Sequence, residues 1–133
     1  AAWHRGYVMS GDIGIWQADG RLCIVDRKKD MIISGGENIY TAEVERIVHE
    51  LPDVLEAAVV GLPDKRWGEV VTAMVVPRQG ASIDGADLEA FCRERLAAFK
   101  VPRRVEVVSE LPRNPMGKVQ KFRIIKELSD ARK

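Results

Sequence analysis

The period of the apolar positions changes along the chain, and the changes mark its elements. The runs GDIGIW and RLCIV flank Ala18-Asp19-Gly20. An Asp-Gly pair between β-like runs predicts a hairpin. A second hairpin-like unit is expected from MIIS and ENIY around Gly35-Gly36, where glycine permits positive φ or close approach by a ligand. The period then turns helical, with Val44, Ile47, Val48 and Leu51 on one face, Thr41 as candidate cap and an end before Pro52. VLEAAVVGLP and EVVTAMVVP read as strands by their valine content, separated by the polar segment DKRWG. A second amphipathic helix is expected over 85–99, capped by Asp84, with Leu88, Phe91, Cys92, Leu96 and Phe99 on one side. After Pro102 come a short strand, RVEVV, the irregular stretch LPRNPMGK and a closing helix, VQKFRIIKEL. The order ββαββαβα predicts an α+β fold, a small layer in which helices cover a sheet.

Composition narrows the field. A chain of 133 residues that is 46% hydrophobic and 31% charged suits one compact domain with room for an appended piece. Twenty-one Lys and Arg against twenty Asp and Glu leave a net charge of +1, so no global field favours nucleic acid or an anionic membrane. No apolar run approaches the roughly 20 residues that span a bilayer, and no signal pattern opens the chain, so a cytoplasmic setting is expected. Cys23 and Cys92 lie far apart without histidines at ligand spacing; both read as small core residues rather than a disulfide or a zinc site. The opening Ala-Ala-Trp, with no turn or capping logic of its own, is what a fragment would show.

Few residues carry chemistry on local pattern alone. Lys118 closes Asn114-Pro115-Met116-Gly117-Lys118, an ordered turn that leaves one ammonium at its tip. Such a cation could stabilise charge developing on a carboxylate or phosphate, though most lysines simply face water. SGGEN lacks both GxGxxG and the lysine of a phosphate loop, which favours a plain turn. Arg27-Lys28-Lys29 could touch phosphates or form a solvated face. Trp67, flanked by Lys65 and Arg66, could stack on a planar base or cap the edge of the core.

Taken together, SGDIG, DRKKDMIISGGENIY, AEVE, GLPDKRWGE, AAFKVPRRVE and LPRNPMGKVQK carry far more. In this order and spacing, essentially the whole chain resembles the C-terminal region of AMP-forming acyl-CoA synthetases. These belong to the adenylate-forming superfamily, with the aryl-CoA ligases, the luciferases and the adenylation domains of peptide synthetases.

The resemblance implies a division at the charged run 26–30. Residues 1–28 would end a large N-terminal domain, and 29–133 would form a mobile C-terminal domain, a central sheet flanked by helices with a short hairpin. Asp12, in SGDIG, matches the aspartate that holds the ATP ribose hydroxyls, with Ser10 where the family usually has Thr. Arg27 matches a nucleotide-contacting arginine, and Lys29 falls at the hinge between two catalytic poses. Lys118 matches the catalytic lysine of adenylation. Ser34, Gly35, Gly36 and Glu37 would line the pantetheine tunnel, with Trp67, Phe99 and Lys100 near the CoA nucleotide. Some relatives carry an arginine for CoA where Val101 stands here, which leaves Lys100, Arg103 and Arg104 as the nearby cations.

The implied reaction joins a fatty or aryl acid to CoA through an acyl-AMP, with ATP, Mg2+ and coenzyme A as substrates and the N-terminal domain as partner. No metal-ligand set is recognisable within the chain, and the isolated piece would be inactive. An adenylating domain that loads a carrier protein is the alternative within the family. A nucleic-acid module using Trp67, Arg103 and Arg104 is the alternative outside it, opposed by the near-zero charge and 6% aromatic content. Neither the acid nor the oligomeric state is legible.

Overall fold

The computed structural model describes residues 2–4, 7–9, 12–27 and 30–131, with side chains over 17–22 and 30–130. β1 (Ala2–His4) and β2 (Tyr7–Met9) pair antiparallel, a hairpin that the opening pattern did not announce. β3 (Asp12–Trp16) and β4 (Leu22–Arg27) form the hairpin expected around Asp19-Gly20, in which Gly20 has φ 87°.

β5 (Ile32–Ser34) and β6 (Glu37–Ile39) form the second hairpin. Its two turn residues, Gly35 and Gly36, both take positive φ, at 58° and 84°. A two-residue hairpin turn matching strand twist needs that conformation, and glycine reaches it without a Cβ penalty.

α1 (Thr41–His49) begins one residue earlier than a Thr41 cap would require. Tyr40 holds the N-cap position, without a side-chain cap, and Thr41 is inside the helix and buried. A hydroxyl that turns to a tertiary partner is not available to the first turn. β7 (Val54–Asp64) and β8 (Gly68–Pro77) pair antiparallel over their whole length, and β9 (Arg104–Val107) joins β8 in parallel, giving the order β7-β8-β9.

Between β8 and β9 lies α2 (Gly85–Arg93), whose cap is Asp84 as expected, its carboxylate accepting from Ala86 N at 2.7 Å. The helix stops at Arg93 rather than Phe99, and a short 3-10 turn (Ala98–Lys100) follows. Leu96 still packs against the core, so the apolar spacing reports burial correctly but overstates the length of regular helix. α3 (Lys121–Ala131) closes the fold.

The three-stranded sheet is covered on both faces, which is why its two long strands read as nearly continuous apolar runs. Val59, Val71, Ala73 and Val75 point to α1 and α2, where they meet Val44, Val48, Leu88, Cys92 and Val101. Ala58, Val60, Leu62, Met74 and Val76 point to the other side and meet Ile124 and Leu128 of α3. Alternate residues of one strand thus build two cores, and a one-residue slip would exchange them. Burial holds the Cys92 thiol above its ordinary pKa, against a weaker opposing effect of Arg95. The side chain of Cys23 lies outside those described.

Candidate functional site

Lys118 sits on a loop fastened by one side chain. Asn114 Oδ1 accepts the backbone N–H groups of Met116 and Lys118, at 2.9 and 3.0 Å. The main chain closes the same turn, Gly117 N reaching Asn114 O and Asn114 N reaching Lys118 O, each at 2.9 Å. Gly117 has φ 86°, and its carbonyl accepts from Arg113 at 2.7 Å. An Asn before Pro-Met-Gly is a residue type that bonds its own turn, so this hub was legible although the sequence reading did not single it out. Lys118 is exposed and has no ion-pair partner among the described residues. It lines a groove of about 500 Å³ with Asp30, Gln120, Lys121 and Phe122. Among the described residues, Met116, at 84%, and Phe122, at 66%, are the most exposed large apolar side chains.

The glycine turn of 34–37 lies against a different part of the molecule. Gly35 N donates to Trp67 O at 2.9 Å, and a Cβ on Gly35 would approach the Trp67 ring to 3.0 Å. Glu69 reaches the same hairpin, its Oε1 accepting Ile33 N at 2.9 Å. Glu69 can extend there because Gly61 leaves the space: a Cβ on Gly61 would come within 2.8 Å of the carboxylate. Ser34 is buried, while Gly36 and Glu37 are exposed. None of the four lines the groove of Lys118.

Trp67 is set by Asp64, whose Oδ2 accepts both Arg66 N and Trp67 N at 2.9 Å. The ring is half-buried against the α3-side core and also carries cations, Arg103 at 4.3 Å and Arg66 at 5.1 Å from its centroid. Trp67 therefore closes the edge of the core, as one of its two readings expects, and its ring also carries two guanidinium groups of the same chain. Phe99 is 39% exposed, with Lys100 Nζ 5.6 Å from its ring.

The three nearby cations differ in what they already hold. Lys100 is paired with Glu43 at 2.7 Å and Arg104 with Glu106 at 2.6 Å. Arg103 has no carboxylate partner among the described residues. Val101 is buried in the core, so an arginine there would have to leave a packed site.

Asp12 and Arg27 stand opposite each other in the β3–β4 register. Lys29, the expected hinge, lies outside the described residues, as do the side chains of Asp12 and Arg27. Among the described residues no group of three or more His, Cys, Asp and Glu is placed to hold a metal ion. No described helix is long and apolar enough to cross a membrane.

Comparison with known proteins places the chain in a family. A family model described as the AMP-binding enzyme C-terminal domain matches residues 43–118. The chain is 53% identical to the 2-succinylbenzoate–CoA ligase of Geobacillus kaustophilus, over 86% of this chain and 23% of the relative. It is 46% identical to the long-chain-fatty-acid–CoA ligase FadD13 of Mycobacterium tuberculosis, over 90% of this chain and 24% of the relative. The ATP-bound structure of MatB from Rhodopseudomonas palustris superimposes with a TM-score of 0.88 at 41% identity, over 96% of this chain and 25% of that one. The chain thus spans about a quarter of the length of the curated relatives it matches. It belongs to the family of AMP-binding enzyme C-terminal domains, the small α+β domain that ends the acid–CoA ligases.

Proposed function

We propose that the whole protein joins a carboxylic acid to coenzyme A in two steps. In the first, a carboxylate oxygen attacks the α-phosphorus of ATP, pyrophosphate leaves and acyl-AMP forms. In the second, the thiol of CoA attacks the acyl carbon, AMP leaves and a thioester forms. Magnesium enters with ATP as part of that substrate, and the cytoplasm, where ATP and CoA are plentiful, is the proposed setting.

The observation that carries this reading is Lys118: a cation without a partner among the described residues, on a turn whose hydrogen bonds fix its backbone. Held against the reacting carboxylate and phosphate, it would offset the negative charge of the displacement without reorganising. Asp12 would hold the ribose hydroxyls and Arg27 would contact the nucleotide; their opposed register supports a joint role. Rotation about Lys29 would then exchange the groove of Lys118 for the 34–37 turn. There Gly35 and Gly36 leave room for the pantetheine arm, Ser34 and Glu37 flank it, and Trp67 with Phe99 would receive the adenine. Lys100 and Arg103 would meet the CoA phosphates, with Arg103 better placed because it has no ion pair to break. The N-terminal domain of the same chain, here taken to end at residue 28, would supply the phosphate loop and the acyl pocket.

The test is ATP–pyrophosphate exchange and thioester formation by the intact enzyme over a panel of aliphatic and aromatic acids, with and without CoA. Acid-dependent exchange together with CoA-dependent thioester is the expected result. Exchange without thioester would move the reading to an enzyme that loads a carrier protein, and no exchange with any acid would contradict it.

A further inference from the structure

The loop of Lys118 is closed on itself, but its place on the domain depends on what holds its two ends. Upstream, Arg113 is ion-paired with Glu56 of β7. Downstream, Lys121, the first residue of α3, is ion-paired through Nζ with Glu45 Oε1 at 2.6 Å and donates to Thr41 Oγ1 at 3.0 Å. The same Glu45 oxygen accepts the backbone N–H of Val59 at 3.0 Å. Val59 belongs to β7, an outer strand of its sheet. One carboxylate oxygen therefore ties together α1, the sheet edge and the start of α3.

The tie is sheltered. Thr41 is 1% exposed, and the side chains of Lys121 and Glu45 are 21% and 25% exposed. An ion pair in such half-sheltered surroundings is screened less than an exposed one, so losing one partner costs more than it would at the open surface. Lys121 lines the groove alongside Lys118, but its charge is already met by Glu45. Its contribution to that groove is therefore geometric.

We propose that Lys121 is a positioning residue for Lys118: clasped by Glu45 and Thr41, it fixes where α3 begins and so aims the Lys118 ammonium during adenylate formation. The assignment rests on the reading of Lys118 as the adenylating cation. A displacement of about 1 Å in a reacting group can slow a reaction about a hundredfold, which is how a contact beyond the reacting atoms can govern rate.

The experiment compares the full-length enzyme with Lys121→Met, Lys121→Arg, Glu45→Gln, Lys118→Ala and the Lys118→Ala/Lys121→Met double variant. Glu45→Gln keeps an acceptor for Val59 N while removing the ion pair. Acyl-AMP formation and thioester formation from supplied acyl-AMP are measured separately. Lys121→Met and Glu45→Gln should lower kcat for adenylation about tenfold or more, with KM for ATP and the thioester step within about twofold of native. Lys121→Arg should restore most of the loss. In the Lys118→Ala background, Lys121→Met should change the residual rate less than about twofold, since its effect passes through Lys118. Equal loss of both steps, an undiminished effect without Lys118, or an unchanged Lys121→Met enzyme would each overturn the proposal. Full adenylation by Lys118→Ala alone would instead overturn the reading on which it rests, a result visible in that single variant.

Discussion

The turn at 114–118 and the turn at 34–37 both owe their shape to glycine at positive φ, but one ends in a long cation and the other places two residues without side chains at its tip. In the first, the Asn114 side chain and two backbone hydrogen bonds close the main chain and leave the Lys118 ammonium unpaired among the described residues. In the second, Trp67 O and Glu69 Oε1 hold the hairpin from one side, Gly35 lies close against the Trp67 ring, and Gly36 faces open space. On the proposed function, the difference would meet two chemical needs. Stabilising a phosphoryl displacement requires a fixed charge, whereas passing a flexible thiol arm requires a wall with nothing projecting from it.

Variants can separate the two regions. The largest expected effect is Lys118→Ala in the intact enzyme: adenylation falls about a hundredfold to a thousandfold, while thioester formation from supplied acyl-AMP stays within about twofold, read by single-turnover assays. Next is Gly35→Ala, which puts a Cβ 3.0 Å from the Trp67 ring at a φ of 58°. Left-handed backbone costs an alanine about 1–2 kcal/mol, and the thioester step should fall about tenfold with adenylation spared. Gly36→Ala meets nothing within 4 Å, so it should carry the strain without the clash and lose less. Trp67→Ala should weaken free CoA by about fivefold in KM and lower thermal stability, because the ring has both a face and a footing in the core. An unchanged KM would leave the indole a purely structural part.

The smallest effect concerns pH. Burial raises the folded-state pKa of Cys92. The unfolded thiol, ionising near about 8.5, then releases its proton before the folded one does. In that window the unfolded chain binds fewer protons, so stability is whole below it and declines as pH rises through it. Cys92→Ala or Cys92→Ser should flatten this decline in chemical-denaturation midpoints measured across neutral and alkaline pH. An unaltered slope would assign the decline to another group.

Much of this was legible in the sequence because it is local. Gly35-Gly36, Asp19-Gly20 and Asp84 each announced a turn or cap that the backbone adopts, and the valine runs gave both long strands. The helix ends were less readable: Thr41 looks like a cap, but its hydroxyl meets Lys121, and Leu96 keeps a helical spacing beyond the last helical residue. What holds the site together was not readable at all. Glu45 with Lys121, and Glu69 with the Ile33 amide, join residues distant in sequence, and nothing in the local pattern of either predicts the other. Lys100 shows the converse: the resemblance implies a place for it near the CoA nucleotide, yet its charge is already engaged by Glu43.

The central claim is that one small domain serves two half-reactions with two separate surfaces. The most direct test sets Lys118→Ala beside Gly35→Ala in the full-length enzyme and measures acid-dependent pyrophosphate exchange and thioester formation from supplied acyl-AMP for both. The account predicts crossed losses, exchange failing in the first and thioester formation in the second. Loss of the same step in both variants, or of both steps in each, would contradict it.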